Sequence, residues 1–274
     1  MLRSRSALVV GLLSLLAAGA IAFVWLGLPV GGEERYDGPP PMTAVIVDQL
    51  QLTSPDEAFV DDATRTLRAA GYAVDYVPGE QVTVDYYREL PSRGYGLILV
   101  RAHSGFVLRD PQPAGDTRVS GDTFLFTSEP YSDATHVDDQ ESRRLSVAYY
   151  VDTGLETLTA DELLHAFQTE PRYFGIKPGF IQSSTRGRFR NSTVVLMGCN
   201  GLTTDSLAKA FVRKGARAVV GWDEAVTAGH TDDATELLLG HLLGEKVSTR
   251  EAVAGTAAEV GPDPTYGGKL TLYE

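Results

Sequence analysis

The sequence predicts an α/β fold, a three-layer α-β-α sandwich around a mostly parallel sheet, preceded by one transmembrane helix. Two observations predict the sandwich: apolar runs of strand length alternate with amphipathic helix patterns, and several of those helices carry their own start signals. Such alternation builds a parallel sheet covered on both faces. A third observation, an uncharged apolar run near the N-terminus, predicts the membrane helix.

That run extends from Ala7 to Leu28 and has Ser14 as its one polar side chain. Its 22 residues, at about 1.5 Å each, can cross a hydrocarbon core roughly 30 Å thick. Arg3 and Arg5 precede it and Trp25 lies near its far end, which orients the C-terminal part outside the cytoplasm. Ala18-Gly19-Ala20 resembles a signal-peptidase site, so cleavage is the alternative, and both readings export the domain. Residues 1–30 are thus read as anchor, 31–41 as a Gly- and Pro-rich linker and 42–274 as the domain.

The first strand is expected at Ala44–Val47. Ser54, Pro55 and Glu57 then read as N-cap, first helical residue and capping-box partner of a helix whose apolar face is Phe59, Ala63, Leu67 and Ala70. Gly71 ends it, and a strand follows at Ala73–Val77. A helix at Val84–Leu90 leads to a strand at Gly96–Arg101. The pattern then loosens. Thr123–Thr127 and Leu145–Val151 read as strands flanking a polar stretch, Ser128–Arg144, that forms a hairpin loop or a flap. Thr159 and Glu162 open a helix through Phe167. Regular alternation returns with a strand at Thr193–Gly198, a helix at Asp205–Lys214 and a strand at Arg217–Trp222. Thr231 is read as the cap of a helix through Leu243, Ser248 and Glu251 as a capping box opening a helix to Val260, and Lys269–Tyr273 as the last strand.

The net charge of −12 argues against nucleic acid, whose phosphates require clustered Lys and Arg. The single cysteine, Cys199, has no partner for an internal disulfide, so it is either inert or kept for its reactivity. In parallel sheets, ligands bind beyond the carboxyl ends of the strands. The residues just past those ends are Asp48, His103 with Ser104 and Gly105, Cys199 with Asn200 and Gly201, and Asp223.

Leu97-Ile98-Leu99-Val100-Arg101-Ala102-His103-Ser104-Gly105 delivers a histidine into a turn, and Val194-Val195-Leu196-Met197-Gly198-Cys199-Asn200-Gly201 delivers a cysteine into another. The helix Ser206–Phe211 and the run Lys214–Gly221 follow. The pattern resembles the caspase-like cysteine peptidases, the clan of caspases, gingipains, separase and CHAT domains. No caspase pentapeptide surrounds Cys199, so the resemblance is to a divergent branch of that clan. It implies the caspase-haemoglobinase type of sandwich, Cys199 as nucleophile, His103 as general acid/base, and oxyanion donors from the backbone of Cys199 and of Ser104 or Gly105. The chemistry agrees, because a thiol of pKa about 8.5 is mostly protonated at neutral pH and needs a base beside it.

Asp48 and Asp223 are candidates to select a basic substrate side chain, and Arg101 offers the opposite preference. Either aspartate could equally cap a helix or turn. Gly229-His230-Thr231-Asp232-Asp233 offers a metal-site alternative, and His136 with Asp138 and Asp139 a loop able to bind calcium. Asn191-Ser192-Thr193 is a glycosylation sequon directly before a buried strand. The function expected is a membrane-anchored, extracytoplasmic cysteine endopeptidase acting on peptide or protein substrates through a thioester, without a cofactor. The alternatives are an inactive domain of the same fold that binds a peptide or protein, and a metal-dependent hydrolase.

Overall fold

A computed structural model describes residues 36–106, 121–150, 160–244 and 247–274. In chain order the elements are β1 (Thr43–Asp48), a 3-10 turn (Gln49–Leu52), α1 (Glu57–Ala69), β2 (Ala73–Pro78), α2 (Val84–Glu89), β3 (Leu97–Arg101), β4 (Ser104–Phe106) and β5 (Thr123–Pro130). Then come α3 (Val137–Glu141), β6 (Leu145–Ala148), α4 (Ala160–Thr169), β7 (Tyr173–Ile176), α5 (Pro178–Ser183) and β8 (Thr193–Leu196). The chain closes with α6 (Ser206–Arg213), β9 (Ala218–Trp222), α7 (Ala228–Gly244), α8 (Thr249–Val260) and β10 (Leu270–Tyr273).

The main sheet has six strands in the order β10-β9-β8-β3-β1-β2. Five are parallel, and β10 joins β9 antiparallel. The central strands are buried on both sides, and their residues alternate between two cores, as a period of two requires. Val45, Val47, Ile98, Val100, Val194 and Leu196 pack with side chains of α2, α5 and α6. Ala44, Ile46, Leu97, Leu99, Val195 and Met197 pack with α1, α7 and α8. Helices therefore cover both faces, as the alternation predicts.

The irregular middle of the chain departs from the single-sheet expectation. It builds a separate antiparallel sheet, β4-β5-β7-β6. The strands flanking Ser128–Arg144 are not hairpin partners, because β7 lies between β5 and β6. The polar stretch itself contains the end of β5 and the short helix α3, on which Asp139 is buried and bonded to Arg88 at 2.9 Å. Leu125, Leu145, Phe174 and Ile176 turn one face of this sheet into the α2/α5/α6 core.

Two helix starts also differ. Asp56, not Ser54, caps α1, its Oδ1 accepting from Phe59 N at 2.9 Å. Helix α7 begins at Ala228, and Thr231 lies buried inside it, accepting from Trp222 Nε1 at 2.9 Å. The Ser248–Glu251 capping box forms. Thr159 lies outside the described residues, as does the expected anchor, residues 1–30. Among the described residues no helix is long and apolar enough to cross a membrane. The C-terminal part of the expected linker is docked on the domain. Asn191 Nδ2 donates to the Gly38 carbonyl at 2.7 Å, and the Arg190 guanidinium lies over the Tyr36 ring.

One buried ion cluster ties the layers together. Arg101, at the end of β3, is fully buried and faces α1 and α7. Its Nε and one terminal nitrogen grip both oxygens of Asp232 on α7 at 2.8 Å, and the other terminal nitrogen reaches Asp48 Oδ1 at 2.8 Å. The Ser54 carbonyl, just before α1, takes a fourth bond at 2.8 Å. Burial opposes the charge on Arg101, but the bonds to Asp232 and Asp48 outweigh it and raise its pKa. Removing the cation strands two buried carboxylates, whereas neutralising Asp232 leaves Arg101 matched by Asp48. Arg101→Met should therefore cost about 3–5 kcal/mol in urea unfolding and Asp232→Asn clearly less. A larger loss from Asp232→Asn would contradict this charge balance.

Candidate active site

The β3 and β8 strands are adjacent and parallel, with Val100 opposite Leu196. Two residues beyond β3 stands His103, and three beyond β8 stands Cys199. Their turns are fastened to each other. Ser104 Oγ donates to the Cys199 carbonyl. Gly198 lies so close to β3 that a Cβ there would collide with the Ala102 carbonyl and sit 2.8 Å from Ser104 Oγ. Asn200 follows at φ 59, a left-handed conformation that asparagine tolerates better than most residues. Its N–H donates to the Glu224 carbonyl at 2.9 Å, and its own carbonyl accepts from Thr123 Oγ1 at 3.1 Å. The cysteine turn is thereby held by β5 and by the segment that follows β9.

His103 is gripped on several sides. Its N–H donates to Gln49 Oε1 at 3.0 Å, and its carbonyl accepts from Phe126 N at 2.9 Å. Its Nε2 lies 2.8 Å from Thr53 Oγ1, and its ring meets those of Phe126 and Tyr150 edge-on. Burial, with the Arg101 charge adding to it, lowers the imidazole pKa to about 4. At neutral pH the ring is therefore an uncharged base.

Cys199 is half-buried against the α1/α7/α8 core. Its thiol faces the Val226 backbone, with the carbonyl at 3.4 Å and the N–H at 3.5 Å. Burial pushes the thiol pKa up, against the lowering effect of the Val226 contact. The resting pair is thus a neutral thiol and a neutral imidazole, each turned toward a neighbour of its own.

The remaining candidates divide. Gly105 pairs with Phe124 in the β4–β5 ladder. Because His103 is already a hydrogen-bonded partner of Phe126, the antiparallel alternation commits the Gly105 N–H to β5 and turns the Ser104 N–H away from it. Of the two candidate oxyanion donors on that turn, only Ser104 keeps its N–H outside the ladder. Asp48 is not open to a substrate: it is 1% exposed, and its oxygens accept from Arg101, Gln51 N and Tyr76 Oη. Arg101 is likewise buried, which removes it as a substrate contact. Asp223 Oδ1 accepts from Lys269 N at 2.7 Å, and its own N–H donates to the Lys269 carbonyl at 3.1 Å, extending the β9–β10 pairing by one residue.

The metal alternative does not assemble. His230 Nε2 faces the Gly261 carbonyl at 3.3 Å, Asp232 is bonded to Arg101, and Asp233 is exposed. His136 bonds Glu129 at 2.7 Å, while Asp139 is held by Arg88. Among the described residues no group of three His, Cys, Asp or Glu side chains is placed to hold a metal ion. The sequon residue Asn191 has its amide bonded to Gly38, and Ser192 is fully buried.

Sequence reasoning missed Gln49, Thr53 and Tyr150, the side chains around His103. The available signal was position: Gln49 follows directly on the apolar strand β1, at the same edge as His103. No protein-family model matches the sequence, and no curated protein matches it either.

The lowered pKa of His103 has a stability consequence. Unfolded, the imidazole titrates near 6.5, so as pH falls below that value the unfolded chain takes up a proton that the folded site refuses until about 4. The stability contribution is full above pH 6.5 and is lost between there and pH 4. The difference in urea midpoint between wild type and His103→Asn should accordingly shift against wild type over that window. A difference that stays flat with pH would show that His103 is not held neutral.

Proposed function

We propose that this chain is a cysteine endopeptidase of the caspase-like type, with Cys199 as nucleophile and His103 as general acid/base. The observation that carries the reading is the fastening of the two turns through Ser104 and Gly198 at the carboxyl edge of neighbouring parallel strands. Helices on both faces of the mainly parallel sheet are consistent with a caspase-haemoglobinase sandwich.

In this reading Cys199 Sγ attacks the carbonyl carbon of a peptide bond while its proton passes to His103. The tetrahedral oxyanion accepts from the backbone N–H groups of Cys199 and Ser104. The C–N bond then breaks as His103 returns the proton to the departing amine. A water deprotonated by His103 attacks the thioester, releasing the acid and restoring the thiol. Thr53 occupies Nε2, so Nδ1 is the nitrogen left for these transfers. The thiol must leave Val226 when substrate arrives, and catalytic contacts commonly tighten only in the substrate complex. No cofactor enters these steps. The apolar N-terminal run would hold the enzyme to the outer side of a cytoplasmic membrane.

One observation favours a second reading. A thiol with a raised pKa, satisfied by backbone groups, suits an inactive domain of this fold that binds a peptide or protein. The two readings separate on cleavage of an unfolded protein substrate by the full chain. Cys199→Ala should abolish cleavage and leave thermal unfolding within a degree or two. Wild-type activity should show no acid limb from His103 above pH 5, because the imidazole is already neutral there. Cleavage that survives Cys199→Ala would rule out the peptidase reading.

A further inference from the structure

We propose that Gln49 is a positioning residue for His103: its buried, uncharged amide fixes the imidazole from two sides without holding a proton on it. The inference rests on the reading of His103 as a general base. Gln49 begins the 3-10 turn after β1 and is fully buried. The His103 N–H can only donate, so the amide atom facing it at 3.0 Å must be the oxygen. That choice turns Nε2 toward Tyr150 Oη at 2.8 Å, making the tyrosine oxygen an acceptor. The Tyr150 ring in turn packs edge-on against the imidazole, with centroids 5.0 Å apart. One side chain thus sets both the backbone that carries His103 and the ring that bounds it.

A glutamate in this place could make the same two contacts, accepting from His103 N–H and from the Tyr150 hydroxyl. What distinguishes glutamine is its lack of charge. A carboxylate here would stabilise the imidazolium and convert the base into its conjugate acid. The other groups facing the ring do not supply that anion. Thr53 and Phe126 are uncharged, and the Tyr150 hydroxyl is held protonated by burial. Arg101 on β3 adds positive charge, and Asp48, the residue before Gln49, is bonded to it.

The test uses the full chain, with the five histidine signals followed by NMR against pH and Cys199 alkylation by iodoacetamide followed by mass spectrometry. His103→Asn identifies the His103 signal. Gln49→Glu should raise the His103 midpoint by about one pH unit or more. Gln49→Leu should slow alkylation about tenfold, toward the His103→Asn rate. Tyr150→Phe, which removes only the hydroxyl and spares the fold better, should slow it in the same direction. An unmoved midpoint in Gln49→Glu, or wild-type alkylation in both Gln49→Leu and Tyr150→Phe, would overturn the proposal. A wild-type alkylation rate in His103→Asn would instead overturn the general-base reading, and the Gln49→Glu midpoint would still report whether Gln49 sets the imidazole.

Discussion

The Arg101 guanidinium makes four hydrogen bonds in a place from which water is excluded, and much of the architecture is organised around them. A buried cation is tolerable only when opposite charge and acceptors meet it in good geometry. Here the acceptors come from β1, from the entry to α1 and from α7, so satisfying one side chain fixes how a helical layer sits on the sheet. The same charge lies beneath the turn that carries His103 and opposes its protonation. Burial is the larger cause of the low His103 pKa, and the Arg101 charge adds to it.

The second constraint is the close approach of β3 and β8. With only hydrogen at Gly198, the cysteine turn can lie against the Ala102 carbonyl, and Ser104 can bond the Cys199 carbonyl across the gap. The small antiparallel sheet completes the frame. Phe126 bonds the His103 carbonyl and Thr123 the Asn200 carbonyl, so β5 reaches both turns. A backbone fixed at this many points leaves the side chains of Cys199 and His103 as the adjustable parts. In the proposed reading, a neutral thiol and a neutral imidazole wait for substrate before charge moves, unlike a preformed thiolate–imidazolium pair.

The elements that position the site were legible because buried parallel strands are nearly continuous apolar runs, and Leu97–Val100 and Val194–Leu196 are such runs. The residues just past them, His103 and Cys199, were identifiable for the same reason. The fate of the strand-end charges was not. Asp48 and Asp223 look alike in sequence, yet one meets a buried arginine from a distant strand and the other bonds the Lys269 backbone where β10 begins. Only long-range contact separates them. The second sheet was hidden because β7 has four residues including Gly175, too few for a clear period. The Ser54 and Thr231 caps misled because the motif does not show which nearby oxygen reaches the helix: Asp56 does for α1, and Thr231 turns to Trp222 instead.

The central claim is that Cys199 and His103 act together, and covalent labelling tests it most directly. The full chain would be treated with acyloxymethyl-ketone peptides carrying Arg, Lys, Asp or Asn before the warhead, with wild type and His103→Ala compared side by side. The account predicts labelling at Cys199 that His103→Ala abolishes, with the preferred probe naming the side chain the site accepts. Labelling of Cys199 that proceeds equally well in His103→Ala would contradict it.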